Sequence, residues 1–385
     1  MTVDSVDDPT SVLLQVDDGV DLVDALTEHG WGDGLPVVAP TPERVEAMLA
    51  GYPDHDPDEV IAILPPRFGE ATRRTLAINA IMAGCRPEHL PVLEAAVRAL
   101  AHPELNLRGV NATTHCVAPL VVVHGEVART AGYHGGLGAF GPCNRANATT
   151  GRAVRLVLLH VAGATPGDGD ASTQGSPAKY GYCIAENSDA SPWPAYPTTV
   201  GVNALSAVTV HCGEAPHNVH DMESDNPARI LDKVASAMAT TAQNNACISQ
   251  GEYLVALCPE HAATCAEAGW SRRDVTSYLF EQARLPAAEL RRAFALRAWA
   301  PWMDQLEDDA PTPMTEHPDN IRVMVVGGPG KHSSVIPSWG MTRSVTLPIL
   351  SESTRSGTGL EPCCSTGPTA TWPRPQPNAP LLRQS

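Results

Sequence analysis

Residues 120–162 read LVVVHGEVARTAGYHGGLGAFGPCNRANATTGRAVRLVLLHVA, and this stretch decides the fold. Residues 120–123 form an apolar, largely β-branched run, which predicts a buried strand. Residues 147–160 have apolar side chains at helical spacing, and the loop before them contains five glycines. A strand, a glycine loop and a helix start together direct backbone N–H groups and the helix dipole at an anion. The stretch therefore predicts an α/β fold with a functional glycine loop.

Four side chains that can react or donate hydrogen bonds lie on this loop: His134, Cys143, Asn144 and Arg145. Cys143 lies close to the predicted helix start, where N–H groups and the dipole stabilise a thiolate. We hypothesise that Cys143 is a low-pKa thiol facing a pocket that it shares with His134, His217 and Lys331, which makes these four the candidate catalytic residues. The alternative for Cys143 is a buried, unreactive thiol.

Residues 136–141 match the letters of the dinucleotide motif GxGxxG. That motif should follow its strand directly and have an acidic residue about 20 positions later, and neither condition holds here. The pattern GxxxxGK[ST] of phosphate-binding loops is absent from the sequence. The sequence therefore gives no evidence for a nucleotide cofactor, and a purely structural glycine loop remains an alternative.

Composition limits the classes of partner. The chain has 385 residues, 43% of them hydrophobic, and a formal net charge of −17. Nucleic acid and anionic membranes attract basic surfaces, so neither is expected as a partner. The N-terminus is acidic and lacks the apolar segment of a signal peptide, which predicts a cytoplasmic protein.

Strands alternate with helices along the chain, and the pattern repeats. Asn111-Ala112 precedes a strand by the same spacing as Asn245-Ala246, and a helical segment precedes each copy. We predict an acidic N-terminal segment (1–30), an α/β catalytic region (31–348) and a disordered tail (349–385). The catalytic region would contain two similar halves, at about 70–165 and 200–348.

Predicted strands at 120–123, 207–210, 254–257 and 321–326 are each followed by a polar loop. Because active sites of α/β sheets lie at the carboxyl ends of strands, we expect these loops to converge. The last of them contains glycines with Lys331, His332 and Ser333. Lys331 is one of only three lysines, and Lys179 is another that lies in a glycine-proline loop. This convergence is the main sequence argument for an enzyme.

Residues 211–221 contain three histidines, one cysteine and two carboxylates. His211, His217 and His220 are candidate ligands of a divalent metal, although their spacing matches no standard zinc motif. Acid–base histidines in a substrate pocket are the second interpretation, and histidines bonded to nearby backbone are the third.

A further pair, His115-Cys116, precedes the strand at 120–123. Adjacent residues of an extended segment point to opposite faces, so each could contribute to a different part of a site. We rank Cys116 below Cys143 and Cys183 as a nucleophile. The predicted substrate-binding residues are His115, Asn144, Arg145, Lys179, Asn218, His332 and Ser333.

Several phrases of the sequence occur together: GDGLPVVAPTPERVEAML (32–49), INAIMAGCRPEHLPV (78–92), GAFGPCNRANATTGRAVRL (138–156), CIAENSDASPW (183–193) and GEAPHNVHD (213–221). With them the chain resembles bacterial proteins associated with the UGSC (seleno)protein family, over about residues 30–348. The family takes its name from a Sec/Cys-Gly-Ser-Cys motif, and the resemblance implies thiol-linked chemistry. This chain contains no Cys-Gly-Ser-Cys, so no redox residue can be assigned from the resemblance.

These observations predict a cytoplasmic enzyme with thiol-linked Cys/His chemistry that acts on a small polar or anionic molecule. One alternative is a metal-dependent lyase or hydrolase that uses the histidine cluster. The other is a non-catalytic partner of a separate Cys-Gly-Ser-Cys (seleno)protein reductase. A homo-oligomer is compatible with either, and a divalent metal is the one cofactor that the sequence suggests.

Overall fold

The computed structural model of the chain describes residues 21–246, 251–294 and 305–349. The predicted tail beyond residue 349 and residues 1–20 of the predicted N-terminal segment lie outside these ranges. Within them, every helix is too short or too polar to cross a membrane. The fold is α/β, as predicted.

The described helices are α1 (Leu22–Glu28), α2 (Pro42–Leu49), α3 (Arg73–Ala83), α4 (Leu90–Leu100), α5 (Leu107–Ala112), α6 (Glu126–Thr130), α7 (Arg145–His160), α8 (Tyr196–Thr199), α9 (Pro227–Met238), α10 (Pro259–Glu267), α11 (Arg272–Gln282) and α12 (Ala287–Ala293). The strands are β1 (Val60–Leu64), β2 (Gly69–Thr72), β3 (Ala118–Gly125), β4 (Cys183–Ala185), β5 (Ser206–Gly213), β6 (His217–His220), β7 (Tyr253–Leu257), β8 (Arg284–Pro286), β9 (Pro311–Pro313), β10 (Ile321–Val325), β11 (His332–Pro337) and β12 (Val345–Pro348).

Local side-chain bonds set several of these boundaries. The sequence predicts a helix over 70–82, but residues 69–72 pair with β1 as β2. Thr72 then caps α3, because its hydroxyl accepts the backbone N–H of Thr75 at 3.1 Å. The helix predicted at 147–160 begins two residues earlier, since Asn144 accepts the N–H of Asn147 at 2.8 Å.

Two four-stranded sheets have the same construction. One has the order β12-β5-β3-β4 and the other has β6-β11-β7-β10. In the first sheet, β3 pairs in parallel with β4 and antiparallel with β5. In the second sheet, β7 pairs in parallel with β10 and antiparallel with β11. The central strands β3 and β7 are the two strands that the sequence repeat aligns.

The halves exchange their edge strands. β6 follows β5 in the chain but pairs with β11 of the second sheet, and β12 follows β11 but pairs with β5 of the first. An antiparallel bridge between Gly213 and Ser338 joins the two sheets where the exchange occurs. The predicted boundaries at 70–165 and 200–348 therefore do not separate the sheets, since β5 belongs to the first and β12 returns to it.

The sheets pack face to face between two layers of helices. In β3, Leu120 and Val122 contact residues of the second sheet, including Leu254. Val121 and Val123 point to the other face and join a cluster with α3, α4 and α7. Residues 120–123 are all fully buried, which is why this strand is apolar without alternation. The core thus holds both ends of β3 in fixed positions, and the candidate sites lie at those ends.

One topological expectation is wrong. The loops after residues 120–123 and 207–210 were expected to converge, but β3 and β5 are antiparallel, with Ala118 opposite Gly213. Antiparallel neighbours end at opposite edges of a sheet. Side chains that follow β3 and those that follow β5 therefore lie at opposite ends of the first sheet. We call the end at the last residues of β3 the carboxyl edge of β3, and the end at its first residues the amino edge of β3.

Candidate functional site

Glycine loops meet at the carboxyl edge of β3. The parallel strands β3 and β4 both end there, and the loop 131–144 lies beside them. Gly327, just after β10, donates its N–H to the carbonyl of Gly135 at 2.8 Å. Asn187 donates its amide to the carbonyl of Gly327 at 2.9 Å. The first and last glycine loops therefore do come together, as the sequence predicts.

An open cleft of about 510 Å³ at this edge is lined by His134, together with Glu126, Arg129, Asn187 and Asp189. His134 is held in place by the buried Asn147. The side chain of Asn147 accepts the His134 N–H at 3.0 Å and donates to the His134 carbonyl at 2.8 Å. The imidazole Nε2 of His134 bonds the carbonyl of Leu137 at 2.9 Å. These bonds order the loop and leave the imidazole partly engaged.

The other loop residues have structural contacts. Cys143 is exposed and has a left-handed backbone with φ of 81°. Asn144 is the N-cap of α7, and its amide also donates to the carbonyl of Gly132 at 3.0 Å. Arg145 donates twice to the carbonyl of Gly84, at 3.0 and 2.8 Å. Asn144 and Arg145, predicted to bind substrate, are thus each bonded to the protein backbone.

The structure does not assemble the predicted catalytic pocket. Cys143, His217 and Lys331 do not line the cleft that contains His134. Lys331 donates its ammonium to the carbonyl of Met222 at 3.2 Å. His217 lies on the edge strand β6, opposite Val335 of β11.

The other predicted site residues on β6 and β11 also contact neighbouring residues of the protein. The exposed rings of His220 and His332 pack with centroids 5.0 Å apart, and His332 bonds the amide oxygen of Asn218 at 2.9 Å. Ser333 is buried, and its hydroxyl accepts the N–H of Cys258 at 3.0 Å and bonds His261 at 2.8 Å.

His211 does not belong to a metal cluster with His217 and His220. It lies within β5, is fully buried, and bonds the Ser344 hydroxyl at 2.9 Å and the Ile336 carbonyl at 3.3 Å. Burial lowers the pKa of His211 to about 4, so the ring is neutral near pH 7. The predicted triad fails because His211 points into the core while the other two side chains are exposed on a different sheet.

A compact group of reactive side chains lies instead at the amino edge of β3. The pairing of Ala118 with Gly213 places the residues before β3 beside those after β5. His115 and Glu214 meet there, with imidazole Nε2 2.9 Å from carboxylate Oε1. One ligand atom each of His115, Cys116 and Glu214 lies within 4.8 Å of the other two. In the described part of the chain, this is the one group of its kind that could hold a metal ion. We call it the His–Cys–Glu cluster.

The tautomer of His115 follows from its bonds. Its Nδ1 accepts the N–H of Val117 at 3.1 Å, so in the neutral ring Nε2 carries the proton and donates it to Glu214. A metal ion bound at Nε2 would have to replace that proton. The proton would move to Nδ1, which would then face the Val117 N–H as a second donor, at a cost of about 1–3 kcal/mol.

The carboxylate is fixed through its own backbone. Glu214 donates its N–H to the Pro337 carbonyl at 2.9 Å, and its carbonyl accepts the Tyr182 hydroxyl at 3.0 Å. The Glu214 side chain remains about 28% exposed and that of His115 about 11%. The pair is therefore both ordered and accessible to a small molecule.

Two charged groups act on the Cys116 thiol. Burial raises the pKa of Cys116, and the negative charge of Glu214 raises it further, while Lys179 lowers it. The thiol is consequently protonated near neutral pH, and it needs a base or a cation to become a thiolate. The Glu214 carboxylate, within 4.8 Å of the sulfur, is a candidate base.

Lys179 connects the His–Cys–Glu cluster to a second group of charges. Its ammonium lies 2.7 and 2.6 Å from the two oxygens of Asp170, which also bonds Arg155 at 3.3 Å. Burial lowers the pKa of Lys179, whereas Asp170 raises it. The charge of Lys179 is thus compensated inside the protein.

This charged group borders an open cleft of about 660 Å³. Its polar lining comes mostly from the loop 165–180 and from two earlier residues: Asp33, Arg155, Thr165, Asp170, Ser172, Thr173, Gln174, Ser176, Lys179 and Tyr180. The loop is fastened next to the cluster, because Thr173 donates its N–H to the carbonyl of Thr114 at 2.9 Å. Hydroxyl, amide and charged groups on one wall suit a small polar ligand.

Asp33 closes the other side of the cleft, within the sequence GDGLP. Its carboxylate accepts two bonds from Arg152, at 2.8 and 2.7 Å. Burial raises the pKa of Asp33, but the hydrogen bonds and charge of Arg152 bring it below the usual value. Asp33 is therefore ionised at neutral pH, and α7 is tied to residues 33–36.

Sequence reasoning found two members of this site, His115 and Lys179, and considered Cys116. It missed Glu214, Asp170 and Arg155. Glu214 could have been found from the antiparallel pairing of β3 and β5, but spacing alone does not reveal the direction of a strand. Asp170 and Arg155 are distant from the cluster in sequence and meet it only through the fold.

Comparison of the chain with family models, with curated proteins and with solved structures found no match. The resemblance to UGSC-associated proteins, and the partnership with a Cys-Gly-Ser-Cys protein that it implies, therefore stay predictions.

Proposed function

We propose that the protein is a cytoplasmic enzyme that binds a small polar molecule in the cleft beside Lys179 and acts on it through the His–Cys–Glu cluster. The observation that carries this proposal is that an imidazole, a thiol and a carboxylate lie within 4.8 Å of one another. Two residues that line the polar cleft reach this group: Thr173 bonds the carbonyl of Thr114, next to His115, and the charge of Lys179 acts on the Cys116 thiol. In this proposal Cys116, rather than Cys143, is the reactive thiol.

Each group has a role that its environment permits. Glu214 is exposed enough to accept a proton from the Cys116 thiol or from a hydroxyl of a bound molecule. His115 holds the carboxylate through its Nε2–H and so acts as a positioning residue. Transfer of the thiol proton to Glu214 would leave a thiolate near the Lys179 ammonium, whose charge already favours that state.

The cleft favours an uncharged or zwitterionic polar ligand over a simple anion. Its two cationic side chains, Arg155 and Lys179, are both bonded to Asp170, so an anion would have to compete with that carboxylate. Hydroxyl and amide groups of Ser172, Thr173, Gln174 and Ser176 supply donors and acceptors that need no such exchange. A compound rich in hydroxyl, amide or amino groups fits this wall best.

The test compares two cysteines. The purified chain is incubated with a fractionated pool of small polar metabolites, and compounds that disappear are identified by mass spectrometry. We expect the wild type and Cys143→Ser to consume the same compounds, and Cys116→Ser to leave them intact. Equal consumption by Cys116→Ser, or loss of consumption in Cys143→Ser alone, would contradict the proposal.

A further inference from the structure

The His–Cys–Glu cluster has a second chemical property besides acid–base chemistry, namely its ligand set. An imidazole nitrogen, a cysteine sulfur and a carboxylate oxygen are three donor types that Zn²⁺ uses in proteins. Three protein ligands with one open position are characteristic of catalytic rather than structural zinc. We infer that His115, Cys116 and Glu214 bind a divalent transition-metal ion of the zinc class, with the open position facing solvent.

The distances are compatible with one ion. Bonds of about 2.0–2.3 Å in a tetrahedral arrangement separate the ligand atoms by roughly 3.3–3.8 Å. The donor atoms already lie within 4.8 Å of one another. The closest pair, His115 Nε2 and Glu214 Oε1 at 2.9 Å, now shares a proton and has to open only slightly when an ion replaces it.

The backbone of two of the three ligands, His115 and Glu214, is already held in place. His115 donates its N–H to the Thr113 hydroxyl at 3.2 Å, and both backbone polar groups of Glu214 are bonded. Ligands on fixed elements lose little freedom when the ion binds. Side-chain adjustment is therefore enough to complete the site.

The surrounding charges permit a cation. Glu214 contributes a negative charge, and the nearest ammonium, that of Lys179, is paired with Asp170 at 2.6 Å. Cation binding would convert the Cys116 thiol to a thiolate, because the deprotonated sulfur is the form that binds a metal ion. His115 only shifts its proton from Nε2 to Nδ1, so the binding of one ion releases about one proton.

The experiment uses Co²⁺ as the probe, because a thiolate bound to Co²⁺ gives a charge-transfer band that other ligands do not. The full-length protein is treated with a chelator, dialysed and titrated with Co²⁺ alone, and then with Zn²⁺. We expect one equivalent to produce the band, about one proton to be released per ion, and Zn²⁺ to abolish the band.

Variants assign the band to the cluster. Cys116→Ser should lose it, and Glu214→Gln, which keeps the size of the side chain, should weaken Co²⁺ binding at least about tenfold. Cys143→Ser, which changes an exposed thiol elsewhere, should match the wild type. Absence of a saturable band in the wild type, or an unchanged band in Cys116→Ser, would overturn the inference. Circular dichroism of each variant shows whether it has folded.

This inference rests on the same residues as the proposed function, but different experimental outcomes contradict the metal site and the enzyme proposal. If metal-free protein still consumes compounds in a Cys116-dependent manner and binds no Co²⁺, the metal site is wrong and the enzyme proposal stands. If Co²⁺ binds as described but the protein consumes nothing either with or without the metal, the metal site stands and the enzyme proposal is wrong.

Discussion

The two edges of β3 differ in what their functional groups do. At the carboxyl edge, backbone groups of glycine loops bond one another, and side chains such as Asn147 bond the loop backbone. At the amino edge, His115 bonds Glu214, and the Cys116 sulfur lies within 4.8 Å of both. Lys179, which lines an open cleft, acts on the Cys116 thiol. The glycine-rich edge is easier to recognise in the sequence, whereas reactive side chains lie closer together at the other edge. A glycine loop is therefore not evidence of a site until its N–H groups are shown to be free.

The loop after β10 illustrates this difference. Gly330 and Lys331 both direct their N–H groups at one carboxylate oxygen of Glu260, at 2.6 and 2.7 Å. Two successive N–H groups form the kind of concavity that binds anions. Here the anion is a side chain of the protein itself, which closes the loop rather than leaving it open for a ligand.

The largest expected effect separates the two edges by activity. Glu214→Gln should reduce turnover of the compounds found in the metabolite test by about 100-fold or more, because it removes the proposed base. His134→Gln at the carboxyl edge should leave turnover unchanged. Steady-state kinetics of both variants tests this prediction. Loss of turnover in His134→Gln but not in Glu214→Gln would indicate that the active site lies at the glycine loops.

A second prediction concerns pH and the core beneath the amino edge. His211 has a folded pKa of about 4 against an ordinary value of 6.5, so the unfolded state binds the proton first. The neutral ring thus contributes stability that is present above pH 6.5 and is lost as the pH falls toward 4. The loss amounts to roughly 3 kcal/mol at most.

Urea unfolding at pH 7 and pH 4.5 measures this contribution. His211→Gln should show a smaller fall in the free energy of unfolding than the wild type between the two pH values. Identical pH dependence in the two proteins would mean that His211 is accessible to protons in the folded state.

The third prediction concerns the carboxyl edge. Asn147→Ala removes the side chain that bonds both backbone groups of His134, and it leaves a buried loop without those partners. The free energy of unfolding should fall by about 1–3 kcal/mol. The matched control is Asn218→Ala, an exposed asparagine on β6, which should change stability by less than about 0.5 kcal/mol. Equal effects in the two variants would mean that Asn147 does not order the loop.

The smallest expected effect is that of Glu260→Gln. Its carboxylate accepts two N–H groups at an exposed loop, and those bonds lower the pKa of Glu260. An amide oxygen can still accept them, so the loss of stability should stay below about 1 kcal/mol and should appear only above pH 5, where the wild-type group is ionised. Thermal melts at pH 4 and pH 7 test this, and a loss that is equal at both pH values would point to packing rather than charge.

Several local elements can be predicted from the sequence alone. The fully buried strand β3 follows from four consecutive apolar residues, because only a strand covered on both faces can bury such a run. The start of α2 after Thr41 and the extent of β1 at Val60–Leu64 follow from local propensity and proline. The recurrence of Asn-Ala at fixed spacing before β3 and β7 identified the two equivalent central strands.

The positions of the reactive side chains relative to one another depend on the tertiary structure. Residue spacing does not give the direction of a strand, so the antiparallel pairing of β5 with β3 could not be read from the sequence. That pairing places Glu214, which is 99 residues away in the chain, within 2.9 Å of His115. It also buries His211 while β6 carries His217 and His220 to the other sheet. Local patterns report propensity and burial, which are properties of one segment, whereas a site made by two strands depends on their register.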